Sequence, residues 1–281
     1  MPSNAEKMTP ELQRAIDQQF AVQFHDVTKN FGSTLGLDNV KLGIRTGEIT
    51  VLLGLSGSGK TTLLRHINAL HTPSSGTVRV LGQDLNELKK RELRELRKDI
   101  GVIFQSFNLV DRMSVLENVC TGALGDLKGP RISLLSYPKR VKQEALEVLD
   151  RVGLADRAHQ RADTLSGGQQ QRAAIARALM QHPKILLADE PVASLDPVSS
   201  NQVIELLEQI SREDNLTVIA SLHQVQLAVD FADRIIGLQA GRVKFDRETR
   251  GMTAETATTI YQSVSETSDD ATNSASLKAE A

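Results

Sequence analysis

The chain has 281 residues, of which 40% are hydrophobic and 24% charged, with a formal net charge of −2. That composition suits a soluble protein with a packed core and excludes an overall electrostatic pull toward nucleic acid. The single cysteine, Cys120, excludes an internal disulfide, fits a reducing compartment and reads as a small apolar packing residue.

Residues 1–20 form a polar extension carrying Glu6, Glu11 and Asp17, with no apolar segment of the kind a secretory signal needs. Within it Thr9-Pro10-Glu11 reads as a helix start, predicting a short amphipathic helix to about Gln19. Residues 21–28, 40–44 and 49–53 have β patterning, the last two runs separated by the turn Arg45-Thr46-Gly47-Glu48. A helix is predicted over 60–70, a strand over 77–81, a strongly charged helix over 88–98 and an apolar strand over 100–104. From Gln105 to Leu165 the β signal stops. Residues 114–121 and 139–152 have helical spacing there, with Leu146, Val148, Leu149 and Val152 on one apolar side.

After Gly168 a helix runs to about Met180. Strands at 185–189, 217–220 and 234–238 then alternate with helices at 198–211 and 224–231. Such alternation implies a parallel sheet covered on both faces, here interrupted by a helical block. Residues from about Ser263 onward are rich in Ser, Thr, Asp and Ala and read as disordered. The apolar runs at 49–55, 100–104 and 185–188 fall far short of the ~20 residues of a membrane-spanning helix. Any membrane association is therefore expected through a partner.

Gly54-Leu55-Ser56-Gly57-Ser58-Gly59-Lys60-Thr61 fits the pattern G-x-x-x-x-G-K-[ST]. It follows a strand and opens a helix, as a phosphate-binding loop must. Glycines let successive N–H groups turn inward toward phosphate oxygens, and the helix N-terminus adds partial positive charge. Lys60 supplies a cation between the β- and γ-phosphates, and Thr61 offers its hydroxyl to Mg²⁺. Thr62 continues this first turn. No [NT]-K-x-D segment for reading guanine follows the loop, which favours ATP over GTP. A second stretch, Leu165-Ser166-Gly167-Gly168-Gln169, heads a helix and offers an anion a hydroxyl, free N–H groups and the positive dipole end. A third, Ile185-Leu186-Leu187-Ala188-Asp189-Glu190, is an apolar strand ending in two carboxylates. Neighbouring strand residues point to opposite faces, so the two acids are expected to do different work.

Together these three stretches resemble the nucleotide-binding subunit of an ABC transporter over roughly residues 21–245. The resemblance implies an α/β fold: a RecA-like parallel-sheet core, an antiparallel β subdomain and an inserted helical subdomain. The cassette would span 21–247, with the helical subdomain at about 106–175 and a C-terminal extension over 248–281. It also implies roles. Asp189 would hold Mg²⁺, and Glu190 would act as general base on the attacking water. Gln105 matches the glutamine that reaches Mg²⁺ and that water, and His223 the histidine at the γ-phosphate. Phe31 matches the aromatic that stacks on adenine. Ser166, Gly167, Gly168 and Gln169 would cover the γ-phosphate held by a second subunit, and Asp196, in Ser194-Leu195-Asp196-Pro197, would communicate across that dimer. Two ATP sites, each built from two chains, follow.

Soluble ABC ATPases of DNA repair separate their halves with a long coiled coil, and those of translation carry two cassettes per chain. Here Gln105 and Leu165 are close in sequence and each motif occurs once, so a transporter subunit is implied. Within transporters the chain looks most like the ATPase subunit of phosphonate importers. The likeness lies in residues 105–119, which begin Gln105-Ser106-Phe107-Asn108-Leu109-Val110, and in Gly122-Ala123-Leu124-Gly125, Ala158-His159-Gln160-Arg161, Gln169-Gln170-Gln171-Arg172 and Leu222-His223-Gln224-Val225. Phosphate and polar-amino-acid importers and lipoprotein-releasing or macrolide-type exporters share much of the same pattern and stay open as alternatives. The implied partners are a second ATPase subunit, expected to be identical, transmembrane permease subunits and an extracytoplasmic solute-binding protein, with no nucleic acid. The implied place is the cytoplasmic face of the cell membrane. Residues 126–138 read as an insertion whose apolar stretch either docks on the permease or packs as an ordinary loop. The residues after Phe245 are too few for a regulatory β-barrel domain.

Overall fold

A computed structural model describes residues 19–127, 134–253 and 255–259. The helix expected from Thr9, the disorder expected from Ser263 and the middle of the 126–138 insertion lie outside the described residues.

Two sheets organise the chain. The first is antiparallel, in the order β2-β1-β4-β5, and contains β1 (Phe20–Phe31), β2 (Thr34–Arg45), β4 (Ser75–Val80) and the short β5 (Gln83–Asp84). The second has the order β10-β9-β3-β8-β7-β6 and contains β3 (Ile49–Leu53), β6 (Ile100–Ile103), β7 (Ile185–Asp189), β8 (Thr217–Leu222), β9 (Arg234–Gln239) and β10 (Arg242–Glu248). Strands β6, β7, β8, β3 and β9 run parallel, and β10 returns antiparallel along β9. The Arg45–Glu48 turn therefore carries the chain from one sheet to the other.

The α-helices that accompany them include α1 (Lys60–Ile67), α2 (Lys90–Leu96), α3 (Val115–Cys120), α4 (Lys139–Arg151), α5 (Gly167–Leu179), α6 (Pro197–Asp214) and α7 (Val225–Phe231). None is long and apolar enough to cross a membrane. Their starts are written locally. Ser114 accepts from the Glu117 N–H while Glu117 accepts from the Ser114 N–H, and Ser166 with Gln169 repeats the exchange. Asp196 caps α6 ahead of Pro197.

The parallel sheet divides the core by residue parity. Val51 and Leu53 of β3, Leu186 and Ala188 of β7, and Val218 and Ala220 of β8 join one buried cluster with α3, α4, α5 and α6. Leu52, Ile185, Leu187 and Ile219 join the other, with α1 and the antiparallel sheet. Strands buried on both faces explain the continuous apolar runs. Cys120 is fully buried among the first cluster, and burial pushes its thiol up to about 11. It is a packing residue.

Strand β10 has no counterpart in the sequence reading. It closes a hairpin with β9 through Ala240 and Gly241, both with positive φ (47° and 76°). A two-residue hairpin of this kind normally announces itself as Asn-Gly or Asp-Gly, and alanine hides it. The hairpin ties the two sheets together: the Asp38 N–H donates to Gly241 O at 2.9 Å, and Arg234 donates to Gly43 O at 2.7 Å.

Candidate active site

At the carboxyl end of β3 the chain turns through the glycine loop into α1. Gly54 admits no side chain, because a Cβ there would stand 2.4 Å from Ser58 Oγ and 2.5 Å from Leu238 O. Gly57 and Gly59 have φ of 78° and 107°, conformations that cost a glycine little. Gly59 is also pressed on Gly36, whose carbonyl would lie 2.8 Å from a Cβ at Gly59. The Gly241 N–H donates to Ser58 O at 2.9 Å, so the β9–β10 hairpin supports the loop from below.

No side chain caps α1, which leaves the first N–H groups of that helix directed at whatever the loop holds. Leu55, Ser56 and Gly57 form an exposed rim, while Lys60 beneath them is buried. The Lys60 ammonium donates to Gly54 O (2.7 Å) and Leu55 O (3.1 Å). Burial lowers its pKa, and the Glu190 and Asp189 carboxylates oppose that. Ser58 Oγ is buried with no hydrogen-bond partner among the described residues. A buried cation, an unpaired hydroxyl and uncapped N–H groups in one cradle are the donor set of an anion site.

The two acids that end β7 do part company. Asp189 Oδ1 accepts from Thr61 Oγ1 at 3.1 Å and from Ser221 Oγ at 2.9 Å, facing α1. Glu190 takes a left-handed conformation (φ 51°), its N–H donates to Ser221 Oγ at 2.9 Å, and its Oε1 meets His223 Nε2 at 2.5 Å. Ser221 thus holds both acids, one through its proton and one through its lone pair. The sequence reading missed it because the expected strand stopped at Ala220, one residue short. Gln105 is exposed two residues past Ile103, which pairs with Ala188, so it leaves the sheet at the same end as Asp189 and Glu190.

Phe31 ends β1, 42% exposed, with its ring against Gly36. His71 meets it edge-on at 5.2 Å between centroids, and Lys29 Nζ lies 5.2 Å from its centroid. Since Gly36 touches both Phe31 and Gly59, the aromatic stands beside the phosphate loop. Neither His71 nor Gly36 was legible as part of this platform, because these contacts arise from the segment after α1 and from β2.

Ser166, Gly167, Gly168 and Gln169 lie elsewhere. The nearest neighbours of Gly167 and Gly168 are Leu195, Phe107, Ser194 and Ser199, with no residue of the phosphate loop among them. Asp196 stands in the same cluster, accepting from the Val198 and Ser199 N–H groups at 3.1 and 3.0 Å. The structure therefore assembles Phe31, the 54–62 loop, Asp189, Glu190 and His223 into one site. It sets Ser166–Gln169 and Asp196 apart in a second cluster.

The ABC transporter family profile matches residues 37–193. A relative from Frankia casuarinae, named phosphonates import ATP-binding protein PhnC, is 62% identical over 227 residues, covering 81% of this chain and 90% of its own. A relative from Mycolicibacterium smegmatis, named phosphate-import ATP-binding protein PhnC, is 56% identical and covers 85% and 91%. Among solved structures, the ATP-binding cassette MJ0796, a dimer in a post-hydrolysis state bound to ADP and Pi, is similar with a TM-score of 0.72 and 37% identity over 82% of this chain and 100% of that one. The chain belongs to the ABC transporter family.

Proposed function

We propose that this chain is the ATP-binding and ATP-hydrolysing subunit of an importer that takes up phosphonates or related phosphorus oxyanions. The observation that carries the ATPase part is the meeting of Thr61 with Asp189, and of Glu190 with His223, at the mouth of the phosphate loop. The substrate class rests on relatives named for phosphonate import at 62% and 56% identity. The relative named for phosphate import, also at 56%, favours phosphate as a second reading.

In this reading Phe31 stacks on adenine. The N–H groups of the 54–62 loop and Lys60 hold the phosphates, which as charged acceptors outcompete the carbonyls of Gly54 and Leu55 for the ammonium. Thr61, Gln105 and Asp189 are oxygen donors that suit Mg²⁺. That ion, when bound, neutralises charge on the β- and γ-phosphate oxygens. Glu190 takes a proton from the water that attacks the γ-phosphorus, and His223 orients the Glu190 carboxylate. Ser166, Gly167, Gly168, Gln169 and Asp196 serve the site of a second copy of the chain, since they stand apart from this chain's own loop. Permease subunits hold the pair at the cytoplasmic face of the membrane, and an extracytoplasmic binding protein delivers the solute.

Uptake tests the whole reading. Deleting the gene in cells stripped of other phosphate importers should abolish high-affinity uptake of a phosphonate, phosphite or phosphate, and a Lys60→Ala copy should not restore it. Loss confined to polar amino acids would leave the ATPase reading standing and sink the substrate.

A further inference from the structure

The loop that follows Gln105 is fastened by a half-buried arginine on the helix that Ser166 opens. Phe107 and Asn108 both have positive φ (60° and 52°), an unfavourable conformation for residues with side chains. Their carbonyls converge on one guanidinium: Arg177 Nη2 donates to Phe107 O at 2.8 Å, and Arg177 Nη1 donates to Asn108 O. Arg177 lies near the end of α5. At the start of that helix, the tip of the Phe107 ring would lie 3.9 Å from a Cβ at Gly167. The same loop therefore touches α5 at both ends.

A second anchor holds its far side. The buried Asn118 of α3 accepts from the Val110 N–H at 2.7 Å and donates to Val110 O at 3.1 Å. From Phe107 to Val110 the chain is thus pinned to α3 and α5, while Gln105 lies just upstream, next to the end of β6. Among the described residues Arg177 forms no ion pair, and burial lowers its pKa. A half-buried cation whose partners are two carbonyl dipoles recovers only part of the hydration it gives up. The guanidinium meets the two carbonyls through two nitrogens of one rigid plane, whereas lysine would bring a compact point charge on a flexible stem.

We propose that Arg177 is a positioning residue for Gln105: it locks the loop behind the glutamine onto α5 and so fixes where Gln105 stands beyond the end of β6. This rests on the reading of Gln105 as a group that serves the nucleotide site.

A double-mutant cycle on the full chain tests it. Turnover, ATP affinity and thermal midpoint are measured for the parent, Arg177→Lys, Gln105→Ala and the double variant. Arg177→Lys should lower kcat about tenfold, with ATP affinity and midpoint close to the parent's. In the Gln105→Ala background the same substitution should cost nothing further, because residues acting through one another are not additive. Should the lysine variant fold poorly, Arg177→Gln, which carries no charge to bury, takes its place in the cycle. A full tenfold loss on top of Gln105→Ala overturns the coupling alone, as does a folded Arg177 variant with parental kcat. Parental turnover in Gln105→Ala overturns the reading of Gln105 itself.

Discussion

Glu190 sits at a backbone angle that few residues with side chains adopt (φ 51°), immediately after a strand whose residues alternate strictly. That one angle breaks the alternation. Without it Glu190 would point away from Asp189 across the sheet; with it the carboxylate reaches His223 at the sheet's carboxyl edge. Strain of this sort costs roughly 1–3 kcal/mol and persists where surrounding contacts impose it, here the hydrogen bond from Glu190 N–H to Ser221 Oγ. Glu190→Gln keeps the shape and the turn but removes the proton acceptor. Turnover should fall by about 10²–10⁴ while ATP affinity stays near the parent's, and ATP should hold the protein as a dimer on size-exclusion chromatography. Near-parental turnover with unchanged affinity would remove Glu190 from the role of base. The pair of acids was legible from an apolar run ending in Asp-Glu. The serine that orients them was not, because nothing local marks a strand residue as the partner of two groups on its neighbour.

At the scale of elements, the helical block is held by close approach as well as by apolar burial. The turn after α3 carries Gly122, and a Cβ there would stand 2.1 Å from Arg177 O and 2.7 Å from Met180 Cβ. Gly125, three residues later, has only the Lys98 side chain within reach, at 3.6 Å. Gly122→Ala should therefore destabilise by about 1–3 kcal/mol, the usual cost of overpacking a filled site, and Gly125→Ala should be nearly neutral. Denaturant midpoints for the two variants check this, and equal midpoints would show that α3 and α5 have room to part. In the sequence both glycines look alike, two ends of Gly-Ala-Leu-Gly. Only the neighbour each one meets distinguishes them. Helix starts depend on nearer neighbours: Ser114 with Glu117, Ser166 with Gln169, and Asp196 with Pro197 are caps made by residues three or fewer apart.

For the whole molecule, the decisive arrangement is the separation of two functional clusters that one chain carries. Lys60 lies in the phosphate loop, whereas Gly167 and Gly168, which follow Ser166, pack against Leu195 and Ser199. If a second copy completes each site, a mixed dimer of Lys60→Ala and Ser166→Arg chains places both lesions in one site and neither in the other. That dimer should keep part of its ATPase activity, about half if the sites work independently, which is where additivity of distant sites leads. A dimer with both lesions in each chain should keep none. Indistinguishable activities would mean that each chain completes its own site.

Local signals in the chain mark the glycine loop, the strand that feeds it, the acid pair at the end of β7, the start of α5 and the alternation of strands and helices from β7 to β9. Each depends on residues adjacent in the chain or on a periodicity of two or 3.6, and such signals are local. Tertiary structure alone decided the rest. Strand β10 exists because β9 offers it an edge and Ala240 tolerates a turn that its residue type does not advertise. The turn after β2 passes between sheets because alternate residues of β3 must find two different cores. Ser221 joins Asp189 to Glu190, and Arg177 reaches Phe107 and Asn108 across about 70 positions of chain. These contacts obey no spacing along the sequence. They appear only when packing has closed the loops between them, and it is there that the chain's chemistry is aligned.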